Sequence, residues 1–498
     1  MAEIELPEEG EEAEAPKINH VYIIKMLQNR AKFYRSMEGW GFVDIVIGDK
    51  RWAAVQVQSR RFTKLIYALV QSVEPDGFPT TRVIEDVRGW ALAQVEGTPA
   101  RDISHRINKF GEKLVYDLAD EEGRFIVIED GNWRVEHGVY PFMRGEATRP
   151  QAEPARTDKR LVDVLRPFVN CSERDLHLIA GWLLGCFKVG GPYPVLALNG
   201  MQGSAKSTTS RLLKMLIDPH GHTFVDPPRQ AQDWLAAMRN RFLLVFDNLS
   251  YMRADFADQL CKVATKTAIV TRELYTNGQE VGIEATRPII LNGIPSFTER
   301  PDLVDRMVCV TLNPIGRHTR MTDDDYWAAV DAAFPELLGA LFAEVGRAQL
   351  QSRTFKLPTS HRMANFIHWA ASALGEPFIA AYDHAMRDTV DSSIETNTFA
   401  MAIIKLMREV PEWMGTLEEL QTALAKWKPF DDKLWPTSVQ GMRSAVKRYA
   451  PVLASVCIRA EQAGRETVSG HGRKLYRFRR TSEWGHLEFS SEVSVSEG

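Results

Sequence analysis

Apolar and polar positions alternate in two short runs, Phe42–Ile47 and Trp52–Val57, on either side of Gly48-Asp49. Alternation of period two around a Gly-containing pair predicts a β-hairpin. Apolar spacing of three to four residues predicts helices over Phe62–Gln71 and Thr81–Ala93. Glu112–Leu118, Phe125–Glu129 and Trp133–His137 read as a strand meander broken at Glu122-Gly123 and Asp130-Gly131. Residues 17–150 therefore form an α+β unit. No catalytic or metal-ligating pattern stands out in it, so its function is not legible. The polar stretch Thr148–Thr157, with two prolines, predicts a boundary.

Helical periodicity over 160–187 gives way to short apolar runs separated by helices, the pattern of an α/β domain. Its strand candidates are Val195–Asn199, Phe242–Asp247, Ile269–Thr276, Pro288–Asn292 and Met307–Leu312. Residues 323–410 return to helical periodicity. Gly415–Trp427, Thr437–Leu453, Val456–Gln462 and Leu475–Arg479 then give helix, helix, strand, strand, with Ala463–Lys474 as a Gly-rich basic linker. That order, over 411–480, suits a winged helix whose last two strands make the wing.

Charge sharpens the picture. The chain has 498 residues and a net charge of −4. Seven Glu and no base occupy residues 1–16, and four Glu and no base occupy 481–498, so both ends read as acidic disordered tails. Without those 11 negative charges the remainder is +7, and residues 437–480 alone hold ten Lys or Arg against two Glu. A module this basic points to nucleic acid. Arg443, Lys447 and Arg448 fall near one face of its second helix, and Arg473 and Lys474 precede its last strand. The longest apolar stretch, Leu178–Cys186, is far short of the roughly 20 residues that span a bilayer. Five cysteines without CxxC spacing support neither a disulfide framework nor a zinc site, and a reducing cytoplasm fits.

The chemistry concentrates in Gly200-Met201-Gln202-Gly203-Ser204-Ala205-Lys206-Ser207-Thr208, between an apolar strand and a helical stretch. Backbone N–H groups converging on phosphate oxygens, a Lys as compact cation and a hydroxyl for Mg²⁺ make a nucleotide loop. Lys206 and Ser207 stand in the last two roles, and Ala205 replaces the usual Gly. Asp247 ends an apolar strand 41 residues after Lys206 and is placed to hold Mg²⁺ with Ser207. Asn248 follows where an acid often polarises the attacking water. Asn292 ends another apolar strand and is placed to orient water or sense the γ-phosphate. Arg306 precedes the strand Met307–Leu312, where a ring would offer it to a neighbouring subunit's nucleotide. Between them, Asn277-Gly278 suits the turn of a hairpin made by Thr271–Thr276 and Gln279–Ile283.

GxxGxxKS at Gly200–Ser207, the Asp247-Asn248 strand end, the Arg272-Glu-Leu-Tyr275 segment, Asn292 and Arg306 together resemble the superfamily 3 helicases. These are AAA+-type P-loop ATPases of viruses, phages and mobile elements. The stretches DNLS, RELYTN, RPIILNGI and RPDLVDR look still closer to a phage and bacterial group described as ATP-binding proteins, in which Lys266 tends to be Gly. The resemblance covers residues 160–330, followed by a helical region at 331–410. It implies a hexameric ring, ATP and Mg²⁺, Arg306 acting in trans, and a pore hairpin around Lys266, Arg272, Asn277 and Gln279 that contacts single-stranded DNA. The expected function is an ATP-dependent DNA helicase or translocase in replication. Its alternative is an ATP-switched initiator or loader that binds DNA and unwinds little. Any priming would belong to another chain.

Overall fold

The computed structural model describes residues 18–138, 140–265, 269–272, 280–283, 286–293, 301–316, 318, 320–357, 363–395, 398–429, 435–468 and 471–481. Apart from Thr481, both acidic tails lie outside them. The described chain is mixed α/β, with several sheets and long helices. None of its helices is long and apolar enough to cross a membrane.

The N-terminal unit begins with a helix that the sequence reading missed, α1 (His20–Arg30), capped by Asn19. It continues through β1 (Lys32–Ser36), β2 (Gly41–Ile47), β3 (Lys50–Gln56), α2 (Arg60–Gln71), α3 (Thr81–Val95) and β4 (Ala100–Arg101). Its sheet runs β3-β2-β1-β4. Ile47 pairs with Lys50 across Gly48-Asp49, the expected hairpin turn, and Gly48 has φ +56°. Ile23, Val43, Val55, Phe62, Leu69 and Val87 share a core with this sheet and its helices.

A second, antiparallel sheet follows in simple order: β5 (Ile107–Phe110), β6 (Lys113–Asp117), β7 (Arg124–Glu129) and β8 (Asn132–His137). Asp130 and Gly131, both at positive φ, form the two-residue turn that the meander reading expects between β7 and β8. One face of this sheet belongs to the main core, where the Tyr116 ring sits 6.0 Å from Phe187 and 5.3 Å from Phe342. The segment 148–157 runs across this seam in contact with both sides. Gln151 Nε2 donates to the Tyr116 hydroxyl and to the Met215 carbonyl, and the Ala155 N–H donates to the Pro335 carbonyl.

After α4 (Leu161–Leu165) and α5 (Glu173–Gly185) comes the α/β region. It comprises β9 (Val195–Asn199), α6 (Lys206–Ile217), α7 (Ala231–Asn240), β10 (Leu244–Phe246), α8 (Ala254–Ala264), β11 (Ile269–Arg272), β12 (Glu280–Ile283), β13 (Ile289–Asn292), α9 (Pro301–Val304) and β14 (Met307–Thr311). Four strands make a parallel sheet in the order β10-β13-β9-β14, and β11 pairs antiparallel with β12 outside it. Alternate residues of each parallel strand enter different cores. Leu196, Leu198, Val245, Ile290 and Val308 face one, while Val195, Ala197, Leu244, Phe246 and Leu291 face the other. Burial on both faces is why these strands read as unbroken apolar runs.

Helices α10 (Asp323–Gln351), α11 (Ala364–Leu374) and α12 (Glu376–Glu395) complete the main core, with Phe366 and Phe378 packed against Gly185 and Gly181 of α5. The remainder is α13 (Thr398–Glu409), β15 (Glu412–Gly415), α14 (Leu417–Leu424), α15 (Val439–Ser455), β16 (Ile458–Val468) and β17 (His471–Arg480), with sheet order β15-β17-β16. Phe399, Ile403 and Met407 of α13 lie in the same core as α14 and α15. The basic stretch Ala463–Lys474, expected as a linker, is instead mostly strand: Gly464 pairs with Leu475 and Val468 with His471. Its glycines and charges hid the alternation because both faces of a two-stranded ribbon can remain in water.

A buried ion cluster ties the second sheet to the α/β region. Asp218, just past α6, accepts from Lys214 Nζ at 2.6 Å and from the Phe242 and Leu243 N–H groups at 3.0 Å each. Arg106 Nε donates to its other oxygen at 3.4 Å, and Arg106 also donates to the Asp117, Arg149 and Pro219 carbonyls. Burial alone would raise the Asp218 carboxyl, but Lys214 and Arg106 outweigh it and hold the group below its ordinary range. Asp218→Ala strands two buried cations and should cost about 3–5 kcal/mol, read as a lower urea midpoint. Nearby His105 is pushed down to about 3, by burial first and then by Arg287. Its neutral form is the one that folds, so its contribution is complete above pH ~6.5 and declines as pH falls toward 3. Moving from pH 7.5 to 5.0 should therefore remove about 2 kcal/mol, and His105→Gln should flatten that dependence.

Candidate nucleotide-binding site

The loop 200–205 joins the C-terminal end of β9 to the first turn of α6. Gly200 has φ +144°, and a Cβ there would lie 2.6 Å from Ser204 Oγ and 2.7 Å from the Leu312 carbonyl, so only glycine fits. Gly203 also has positive φ. Ala205 sits at φ 60°, ψ 32°, the left-handed conformation where glycine is the usual residue. The missing glycine therefore costs local backbone strain, on the order of 1–3 kcal/mol, without changing the turn.

No side chain caps α6, so its first N–H groups face the loop without intrahelical partners. Aligned peptide dipoles place partial positive charge at the same point. Ser204 Oγ is buried with no hydrogen-bond partner among the described residues. Gln202 and Ser207 are exposed and Thr208 is half-buried along the rim. Lys206 Nζ donates to the Gly200 and Met201 carbonyls at 2.8 and 3.0 Å, folded over the loop. Ser207 Oγ donates to Asp247 Oδ1 at 3.0 Å, linking the helix start to the end of β10. Free N–H groups, a cation, a hydroxyl and a carboxylate thus converge on one edge of the parallel sheet. This donor set fits a nucleoside triphosphate with a hydrated Mg²⁺, to which Ser207 and Asp247 would present oxygen ligands. No group of three or more His, Cys, Asp or Glu that could hold a metal occurs among the described residues.

Asn248 is exposed and has φ +53°, a left-handed position that Asn tolerates better than most residues. Its N–H donates to Asn292 Oδ1 at 2.9 Å, and Asn292 Nδ2 donates to Ser210 Oγ at 3.0 Å. Asn292 is 1% exposed, and both ends of its amide are engaged within the protein. Here it positions the Asn248 turn and does not point a free group at water. Sequence reading did not single out Ser210 or Gly293. A Cβ on Gly293 would come within 2.6 Å of the Leu249 nitrogen, a close approach that a single Gly after an apolar run can signal.

Arg306 stands elsewhere. It precedes β14, its carbonyl accepts from the Val195 N–H, and its Nη1 lies 3.9 Å from Cys261 Sγ. Val195 opens β9 and Asn199 closes it, so Arg306 lies at the other edge of the sheet, about 16 Å from the loop. Lys266, Asn277 and Gln279 lie outside the described residues. Arg272 ends β11 opposite Glu280. Arg443, Lys447 and Arg448 are exposed on α15, whose opposite face buries Met442, Val446 and Leu453. Arg473 is exposed and Lys474 half-buried on β17.

Residues 162–392 match the family model of the actinomycete integrative conjugative element replication protein. Residues 399–492 match that of the AICE RepA C-terminal domain. The chain is thus a replication protein of a conjugative mobile element. It belongs to the RepA family of actinomycete integrative conjugative elements. No curated protein matches it. Among solved structures, an A-form apo structure of the NrS-1 C-terminal region is 12% identical, covers 92% of this chain and 99% of its own, and has a TM-score of 0.42. A second apo structure of that region is 11% identical over 92% and 99% of the two chains, with a TM-score of 0.40.

Proposed function

We propose that this replication protein is an ATP-driven DNA helicase or translocase that acts as a ring, with a superfamily 3-like AAA+ core. The contact between Ser207 and Asp247 beneath an uncapped helix start carries this reading, because it joins the two oxygen ligands that Mg²⁺ needs beside the nucleotide loop. The sheet order β14-β9-β13-β10 supports it by bringing the ends of β9, β13 and β10, and with them the loop, Asn292 and Asp247, to one side. Bound Mg²⁺ would neutralise charge on the transferring phosphoryl group. Lys206 would leave its two carbonyls for the β- and γ-phosphates, and Asn248, held through its N–H by Asn292, would align water.

The terminal unit supports a DNA partner. Helix, strand, helix, helix and two strands in the order α13, β15, α14, α15, β16, β17 have the layout of a winged helix, and Arg443, Lys447 and Arg448 line the outer face of its last helix. One observation favours a second reading, the ATP-switched initiator or loader: an exposed amide, not an acid, follows Asp247. Phosphate release with and without single-stranded DNA, measured beside strand displacement, separates the two. Stimulated release with displacement supports the motor, and DNA binding without either supports the switch. Asn248→Ala should lower DNA-stimulated phosphate release about tenfold or more, through one lost transition-state hydrogen bond. Release within twofold of wild type would reduce Asn248 to a strand cap.

A further inference from the structure

A strongly cationic hollow lies at the edge of the parallel sheet opposite the nucleotide loop. Helix α6 separates the two, since its 12 residues span about 18 Å from Lys206 to Ile217 and His220 just beyond it lines the hollow. The hollow measures about 420 Å³ and is walled by Arg60, Arg61, Arg144, Arg239 and Arg241, with Glu146 as the one carboxylate lining it among the described residues. Three separate pieces of chain supply these arginines: the start of α2, the segment after the second sheet, and the end of α7 with the residue that follows it.

The charge is partly neutralised from within. Arg144 is held by Asp117, at 2.6 and 2.8 Å, and Glu146 lies 3.7 Å from Lys64. Arg61 donates to the Arg144 carbonyl and not to a carboxylate. Burial, and then the neighbouring Arg144, push the Arg61 guanidinium down to about 10. Arg241 Nε is buried without a hydrogen-bond partner among the described residues, while burial lowers the guanidinium and the Asp218 carboxylate partly offsets it. Gathering guanidinium groups out of water without anions is unfavourable, and a bound polyanion would relieve it.

A second cavity adjoins the hollow. It measures about 260 Å³, shares Arg61, Arg144 and Glu146 with the first, and adds Lys50, Arg51, Trp52 and Lys64 together with Asp120 and Glu121, the last 3.1 Å from Lys50. Trp52 is half-buried, and its indole N–H finds no acceptor among the described residues. Two adjoining cavities with cations in excess of carboxylates along both suit a chain of phosphates better than a single one. A cationic groove with an aromatic side chain is how single strands are commonly held.

We infer that the adjoining hollows between the N-terminal unit and the α/β region bind the sugar-phosphate backbone of single-stranded DNA, at a site separate from both the nucleotide loop and the basic C-terminal face. Binding there does not depend on ATP hydrolysis, so the DNA titration is run without nucleotide. The full chain is titrated against a labelled dT20 at several salt concentrations, by fluorescence anisotropy. Arg60→Glu combined with Arg241→Gln should weaken binding tenfold or more. It should also make the slope of log affinity against log salt shallower by about 1.4, since each phosphate contact on a single strand contributes about 0.7. Arg60→Ala alone, at an exposed position, should give part of the loss and guards against misfolding of the double variant. Arg443→Ala with Lys447→Ala should leave dT20 binding in place. Unchanged affinity and slope in both Arg60 variants would overturn the proposal. So would ATP binding that persists in Lys206→Ala and disappears when the Arg60 and Arg241 changes are added, which would make the hollow a nucleotide site.

Discussion

Lys206→Ala is expected to remove ATP-dependent thermal stabilisation from the protein. Among the described residues the ammonium bonds only to the Gly200 and Met201 carbonyls, so its loss strands no buried group there and should leave the fold intact. What it removes is the side-chain cation at the loop. A hydrogen bond to a charged group is worth about 1.5–3 kcal/mol, so two such contacts correspond to roughly 10²–10⁴ in affinity. Ligand at 100 times its dissociation constant stabilises a protein by about 2.7 kcal/mol, and a loss of that size in affinity removes nearly all of it. The check is a melting temperature with and without ATP and Mg²⁺. A variant stabilised as much as wild type would move the nucleotide site away from this loop.

Arg306→Ala should leave ATP binding nearly normal and reduce hydrolysis severely. An arginine that reaches the transferring phosphoryl group is worth on the order of 10³–10⁵ in rate. Position makes the expectation specific, because Arg306 lies at the sheet edge opposite its own loop and only another copy of the chain could present it to that nucleotide. The Arg306 carbonyl keeps its contact to Val195 in the variant, and the side-chain contact to Cys261 Sγ is lost, so a melting curve without ATP accompanies the assay. Mixing Arg306→Ala with Lys206→Ala gives the decisive measurement. Shared sites that combine an intact loop from one chain with an intact Arg306 from the other should recover phosphate release. Absence of recovery at every mixing ratio would sink the in-trans role and weaken the ring reading with it.

What the sequence by itself determined is local. Gly48-Asp49 and Asp130-Gly131 set hairpin turns because positive φ is inexpensive there, and the parallel strands were legible because both their faces are buried. The candidate nucleotide loop was legible because its two glycines, Lys206 and Ser207 fall within eight successive positions, where spacing along the chain fixes geometry. Asp247 was within reach because it directly follows an apolar strand. Helix α1, with its weak amphipathic pattern, and the basic ribbon after Gln462 escaped that logic.

Tertiary structure alone decided the rest. Asn292 looks from sequence like a group facing phosphate, yet packing turns its amide to the Asn248 N–H and the Ser210 hydroxyl. Arg306 belongs to the same series of motifs but emerges at the opposite edge, because a parallel sheet sends strand starts and strand ends to different sides. Arg106 and Asp218 meet across 112 residues, and Arg60, Arg144 and Arg241 come from three elements with no common period. Such clusters leave no pattern along the chain: burial and charge compensation act on distance in space, and only folding makes those distances short.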